Sequence, residues 1–137
     1  MIIYTDSVRE ISPAQIQGFF VGWKNPLSPE KHLVILKNSY LRILAVDGDS
    51  KRVVGFINAI SDGSFSAYIP LLEVLPEFQN RGIGSRLLRM MLDRLRDFYM
   101  VDLTCDAGRT SFYSKFGFID GTAMMLRNYE HRFRDET

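Results

Sequence analysis

Apolar and polar positions follow one another along this chain in patterns that predict short strands and a few helices. Short apolar runs predict strands over residues 2–5, 41–46, 53–60, 67–75, 101–105 and 119–126. Apolar residues recurring every three to four positions predict helices over 13–22, 28–38, 83–99 and 110–116. In the third of these helices the apolar residues form one wide stripe, so we expect it to pack on a sheet.

Local turn signals indicate where several of these elements begin. Ser12-Pro13 and Ser28-Pro29 each combine a capping side chain with a first-turn proline, which predicts a helix start. Asp62-Gly63 predicts a hairpin between the strands on either side of it. The resulting order is β-αα-βββ-α-β-α-β. It predicts an α+β fold in which a mixed, mostly antiparallel sheet has helices on both faces and a parallel crossover over residues 67–105.

Composition narrows the class of protein. A length of 137 residues with 46% hydrophobic and 24% charged residues fits one folded domain, which we expect to span residues 1–137. The formal net charge of +1 argues against a nucleic-acid partner. The single cysteine, Cys105, excludes an internal disulfide framework and suits a reducing compartment. No apolar run reaches the roughly 20 residues that span a bilayer. Since the segment Met1–Asp6 also lacks the features of a signal peptide, we expect a cytoplasmic protein without a membrane partner.

The segment Gln79–Gly84 has the clearest chemistry in the chain. It follows a predicted strand and leads into the predicted helix over 83–99. The first N–H groups of a helix have no intrahelical acceptors, and the helix dipole places positive charge at the same end. Gly82 and Gly84 lack Cβ atoms, which permits unusual backbone angles and close approach to a phosphate. The segment therefore predicts an anion site to which Arg81 adds a cation.

Three common glycine-loop motifs do not fit these residues. A P-loop requires a Lys-Ser or Lys-Thr pair after its last glycine, and no such pair follows Gly84. A dinucleotide-binding fingerprint requires a third glycine at the position where Leu87 stands. Kinase glycine loops join two strands, whereas this loop precedes a long predicted helix.

Two separated segments match the motifs of one known family. Gln79-x-x-Gly82-x-Gly84 is similar to a Q/R-x-x-G-x-G/A signature, and the residues Glu73–Phe78 are similar to the strand that precedes it. The segment Phe112–Phe118 is similar to an F-Y-x-x-x-G-F segment of the same family. With the matching element order, essentially the whole chain resembles the GNAT superfamily, the acetyl-CoA-dependent N-acetyltransferases.

This resemblance implies acetyl-CoA as the co-substrate, no metal, and a set of residues that bind the donor. The residues implied along its diphosphate are Gln79, Asn80, Arg81, Gly82, Gly84 and Ser85. The resemblance also implies that the strand before the loop diverges from the strand over 101–105. The pantetheine arm would then pair with the free edge along Leu72, Glu73 and Val74. An N–H group near Val74 would face the thioester carbonyl as an oxyanion donor.

The resemblance places Tyr113 beside the CoA sulfur, where a phenol with a pKa near about 10 is protonated and can act as the general acid. The general base is open. Many relatives carry an acidic residue on the strand before the loop, at the position where this chain has Tyr68. Glu73 is the only carboxylate on that strand, and alternation predicts that it faces away from Tyr68 unless a bulge redirects it. Glu73 and a water chain without a dedicated base stay equal candidates.

The expected function is direct transfer of an acetyl group from acetyl-CoA to a primary amine of a small molecule or peptide. The alternative is a catalytically idle CoA-binding or interaction module of the same fold, although intact Gly82, Gly84 and Tyr113 favour an enzyme. The resemblance implies that the end of the first helix, with Phe19, Phe20 and Trp23, helps to wall the acceptor pocket, whereas the apolar character of these residues favours a place in the core. The sequence identifies neither the amine nor the oligomeric state, a homodimer included.

Overall fold

The computed structural model describes residues 1–130, which form five strands and three helices. The strands are β1 (Ile2–Thr5), β2 (Leu41–Asp47), β3 (Val53–Ser61), β4 (Ser66–Val74) and β5 (Met100–Asp102). The helices are α1 (Pro29–Asn38), α2 (Ile83–Arg94) and α3 (Thr110–Ser114). Within the described residues the chain divides into two compact units, residues 1–103 and residues 104–130. The single domain expected over residues 1–137 stays a prediction.

One five-stranded sheet in the order β1-β2-β3-β4-β5 forms the frame of the first unit. Neighbours from β1 to β4 pair antiparallel, and β4 pairs parallel with β5. The α+β class, the mostly antiparallel sheet and the parallel pairing are therefore confirmed. The ladder between β4 and β5 ends at Tyr68 opposite Asp102, whereas β4 continues to Val74. Among the described strands, none lies beside the second half of β4 on that side, as the divergence predicts.

The two faces of this sheet are covered by different elements. Gly55 of β3 lies against α2, because a Cβ atom there would come within 3.2 Å of Leu87 Cδ1. The next residue, Phe56, points to the opposite face. Its ring contacts that of His32 in α1, with 4.3 Å between the ring centroids. The prediction of helices on both faces is confirmed.

The predicted helix over 13–22 is wrong, because only one 3₁₀ turn, Pro13–Gln15, forms there. The predicted capping serine and proline do begin this turn, but the chain then leaves helical geometry. Gly18, Phe20 and Gly22 adopt left-handed φ angles of 91°, 65° and 85°, which an α-helix does not contain. Phe20 is nevertheless only 3% exposed. The apolar spacing in this segment therefore marks a buried loop and not a helix.

The predicted strand over 119–126 is also wrong, since residues 119–128 have no regular structure. The exposed fractions of its apolar side chains are large: Ile119 93%, Met124 93%, Met125 61% and Leu126 80%. Among the described residues this segment pairs with no strand, so most of its apolar surface stays exposed. Three further elements end at least two residues earlier than predicted, α2 at Arg94, β5 at Asp102 and α3 at Ser114.

Candidate active site

The free edge of β4 presents backbone groups at alternate residues. The N–H of Leu75 donates to the carbonyl of Val54 at 2.8 Å, so Leu75 is turned towards β3. Val74, opposite Gly55 in the same register, must turn its N–H and C=O the other way, towards the free edge. Leu72 does the same by alternation. These are the residues at which the sequence predicts pairing with an amide-containing arm.

The segment after β4 makes one 3₁₀ turn, Pro76–Phe78, and then forms the glycine loop. Asn80 and Gly82 have left-handed φ angles of 64° and 81°, a conformation that asparagine tolerates and glycine adopts freely. Gly82 is the N-cap of α2, and its carbonyl accepts the N–H of Arg86 at 3.0 Å. Within the described chain, the N–H groups of residues 80–85 have no protein acceptor. Open backbone donors at a helix start can bind an anion.

The two glycines of the loop differ in their requirements. At Gly82 an added Cβ would meet no atom within 4 Å, so the space beside this residue is open. Gly84 has ordinary helical geometry, and a Cβ there would make a normal contact with Val74 Cγ2 at 3.7 Å. The predicted unusual backbone angle is therefore confirmed at Gly82 and wrong at Gly84. Close approach of a phosphate stays a prediction at both.

Two loop side chains are already engaged within the protein. Gln79 Nε2 donates to the carbonyl of Val74 at 3.0 Å, which ties the loop to the free edge of β4. Because that carbonyl already accepts a hydrogen bond, the N–H is the open edge group of Val74. The guanidinium carbon of Arg81 lies 4.9 Å from the centre of the Phe78 ring, a cation–π distance. Arg81 is exposed beside the open N–H groups, and Ser85 is half-buried in the first turn of α2.

Glu73, the candidate base, has its carboxylate occupied. Its Oε1 accepts the N–H of Phe20 at 2.9 Å, and its Oε2 accepts the N–H groups of Phe20 and Val21 at 3.0 and 3.2 Å. The sequence analysis missed this link, because it placed both donors inside a helix. Gly18 and Gly22, which bracket the donors, are the signal that could have indicated a loop instead.

A β-bulge changes the relation between Glu73 and Tyr68. Glu73 lies opposite Phe56 and Tyr68 lies opposite Ile60, with a register shift between Asn58 and Ile60. Phe56 and Ile60 are four residues apart on β3 and share a face. Directly opposed residues point to the same side, so Tyr68 and Glu73 share that face too. The predicted opposite orientation is wrong, because the extra residue on β4 at the bulge inverts the alternation.

The second unit contains Tyr113, the predicted general acid. Tyr113 lies in α3, and its ring contacts those of Phe112 and Phe118 at centroid distances of 5.0 and 5.9 Å. Burial raises the pKa of Tyr113, neighbouring Cys105 raises it further, and Arg109 lowers it. The net direction is upward, so the phenol keeps its proton at neutral pH.

Among the described residues, no group of three or more His, Cys, Asp or Glu side chains is arranged to hold a metal ion. His32 is instead enclosed by the rings of Phe19, Phe20 and Phe56, at centroid distances of 5.4, 4.8 and 4.3 Å. This aromatic cluster lies on the sheet face that also carries Glu73.

Comparison with known proteins gives consistent matches. Residues 8–118 match the model of a family described as "Acetyltransferase (GNAT) family". The chain is 34% identical to an uncharacterized N-acetyltransferase named ycf52 from Pyropia yezoensis, over 85% of this chain and 70% of that protein. It is 31% identical to "GCN5-related N-acetyltransferase 2, chloroplastic" from Arabidopsis thaliana, over 85% of this chain and 53% of that protein. The crystal structure of a proposed acetyltransferase from Deinococcus radiodurans R1 superposes with a TM-score of 0.91 at 43% identity, covering 94% of this chain and 90% of that one.

Proposed function

The chain belongs to the GNAT family of acetyltransferases, and we propose that it transfers the acetyl group of acetyl-CoA directly to a primary amine of a small molecule or peptide. The observation that carries this proposal is the row of open N–H groups at residues 80–85, directly beside the free edge of β4. A diphosphate needs such donors, and an amide-containing arm needs such an edge. Gln79 joins the two features by its bond to Val74.

In the proposed reaction the amine nitrogen bonds to the acetyl carbon and the C–S bond then breaks. The N–H of Val74 faces the free edge and is open to donate to the oxyanion that forms before the bond breaks. Leu72 contributes edge groups further from the loop. The residues proposed to hold the diphosphate are Gln79, Asn80, Arg81, Gly82, Gly84 and Ser85.

Tyr113 is the proposed donor to the departing thiolate, a role that rests on the motif resemblance and on its protonation state. A thiol has a pKa of about 8.5, below that of a phenol. Because burial raises the pKa of Tyr113 still further, complete proton transfer to the sulfur is uphill. Tyr113 therefore stabilises the thiolate mainly by a hydrogen bond, and solvent supplies the proton afterwards. The attacking amine loses its own proton through a water chain, while Glu73 as base stays a prediction.

Replacement of Tyr113 by Phe tests whether its hydroxyl group donates to the departing thiolate. We expect kcat to fall by about 100-fold, because the thiolate loses its donor, while CoA affinity changes little. Thiol release from acetyl-CoA with a panel of primary amines measures turnover, and titration calorimetry measures CoA binding. Tyr99→Phe, at a residue 81% exposed, is the matched control. Equal turnover in the wild type and Tyr113→Phe would remove the acid role. CoA binding without thiol release from any amine would favour the idle module.

We propose that the reaction takes place in the cytoplasm, on the basis of the sequence. Within residues 1–130 no helix combines the length and the apolar character needed to cross a membrane. The chloroplastic relative shows that proteins of similar sequence also occur in an organelle. The lack of a nucleic-acid or membrane partner and the homodimer stay predictions.

A further inference from the structure

Glu73 contacts backbone donors in a way that indicates a role other than proton transfer. Both carboxylate oxygens accept N–H groups, from Phe20 and Val21, at 2.9 to 3.2 Å. We propose that Glu73 is a positioning residue that holds residues 18–23, the 18–23 loop, against the end of β4 as a wall for the acceptor amine. This inference rests on the proposed acetyl transfer.

The backbone conformation of the 18–23 loop creates a site for an anion at the N–H groups of Phe20 and Val21. Left-handed φ angles at Gly18, Phe20 and Gly22 turn the chain so that two successive N–H groups point to one side. Converging N–H groups of this kind form a concave anion site. A left-handed angle is also unfavourable for a phenylalanine, so it needs support from its surroundings. The carboxylate of Glu73 supplies the missing negative charge.

The position of Glu73 links the loop to the proposed site of reaction. Glu73 lies between Leu72 and Val74, whose backbone groups face the free edge of β4, so the 18–23 loop is held on the sheet face one residue away from these edge positions. Below, the ring of Phe20 is buried in the aromatic cluster. The exposed loop side chains are apolar, Val21 at 59% and Trp23 at 49% exposure. The 18–23 loop, held at Glu73, therefore exposes apolar side chains at the end of β4.

The same contacts disfavour Glu73 as the general base. A proton taken up by either oxygen would replace an acceptor with an O–H donor that faces backbone N–H groups. Proton transfer in each turnover would then disturb the 18–23 loop. A positioning residue, in contrast, acts on acceptor binding and leaves the protonation of the amine to water.

Trp23 makes the loop directly observable, because it is the only tryptophan of the chain. We expect Glu73→Ala to raise the acrylamide quenching of Trp23 fluorescence about twofold as the loop opens to solvent. Glu73→Gln keeps one acceptor oxygen but places an NH2 donor where the other oxygen stood, so it should raise the quenching less than Glu73→Ala does. Glu77→Ala, which removes an exposed carboxylate four residues further on, is the matched control. Quenching that is unchanged in Glu73→Ala, with circular dichroism showing a folded protein, would overturn the proposal.

Steady-state kinetics then separates positioning from proton transfer. With 2-phenylethylamine as the first acceptor probe, we expect Glu73→Ala to raise the KM of the amine about tenfold and to leave the KM of acetyl-CoA unchanged. Glu73→Gln, which keeps one acceptor oxygen, should recover part of this loss. A drop of about 100-fold in the kcat of Glu73→Gln at saturating amine, with an altered pH profile, would instead identify a base and overturn the proposal. If the wild type acetylates no amine, the proposed function fails, while quenching still decides whether Glu73 holds the loop. If Glu73→Ala does not fold, the Glu73→Gln kinetics decide alone.

Discussion

Gly82 begins α2 with a left-handed φ of 81° and open space where a side chain would stand. A side chain at this residue would be strained and would project into the space in which a diphosphate is expected. Gly84 has neither property, because its backbone is helical and a Cβ would fit against Val74. The two glycines of one motif therefore answer to different demands. The left-handed backbone requires a glycine at residue 82. At residue 84 the described protein has room for a side chain, so a requirement for glycine there would come from the ligand.

His32 is the other residue whose surroundings determine its chemistry. It is 1% exposed, and within the described part of the chain neither ring nitrogen has a hydrogen-bond partner. Burial disfavours the charged imidazolium and lowers the pKa of His32 from 6.5 to about 4. No pattern in the sequence indicated this, since its ring neighbours Phe19 and Phe56 come from distant segments.

The stability of the protein should consequently fall as the pH decreases from about 6.5 to about 4. Over this range the unfolded chain binds a proton at His32 and the folded chain does not, which favours unfolding by up to about 3 kcal/mol. Asp47 and Asp62 have pKa values lowered from 3.8, so their effects are lost only at lower pH. Urea denaturation across the pH range measures the slope, and His32→Leu should remove most of it. Equal slopes in the two proteins would contradict this account.

At the scale of elements, β4 joins the two halves of the proposed chemistry. Its alternation turns the backbone groups of Leu72 and Val74 to the free edge, and the side chain of Glu73 to the face that carries α1. In the proposed function, this single strand both aligns the donor arm and holds the 18–23 loop.

Val74→Pro tests the edge, because proline removes the N–H while β3 loses no hydrogen bond. We expect kcat for thiol release to fall by about 100-fold or more, the loss typical of one oxyanion donor. Val74→Ala keeps the N–H and should retain most of the activity. If both variants are equally active, the N–H of Val74 plays no part in the reaction.

Local patterns predicted some elements well and failed for others for a physical reason. The helix α2 and the strands β2 to β4 bury continuous or periodic apolar surface, so their sequences indicate them directly. The 18–23 loop lies in a segment with helix-like apolar spacing, but its conformation depends on a contact with Glu73, which is 53 residues from Phe20 in the sequence. A contact of this range leaves no periodic trace in the sequence.

At the scale of the whole molecule, the sequence predicts the residues proposed to bind acetyl-CoA, but it does not predict those proposed to bind the amine. The residues proposed for the diphosphate lie within one short segment, 79–85, at a strand-to-helix junction that the motif specifies. The proposed acceptor wall depends instead on how the distant 18–23 loop is held by Glu73 of β4. The family is already indicated by the motif in residues 79–85, and the comparisons with known proteins agree with it. In the proposal, the identity of the amine depends on the acceptor wall, which the motif does not specify.

Binding of CoA through residues 80–85 is the central claim, and thermal unfolding tests it most directly. CoA at about 100 times its dissociation constant should add about 2.7 kcal/mol, which raises Tm by about 8–10 °C for a chain of this size. Pantetheine has the same arm without the diphosphate, and at the same concentration it should raise Tm far less. No shift at saturating CoA, or an equal shift with pantetheine, would contradict the account.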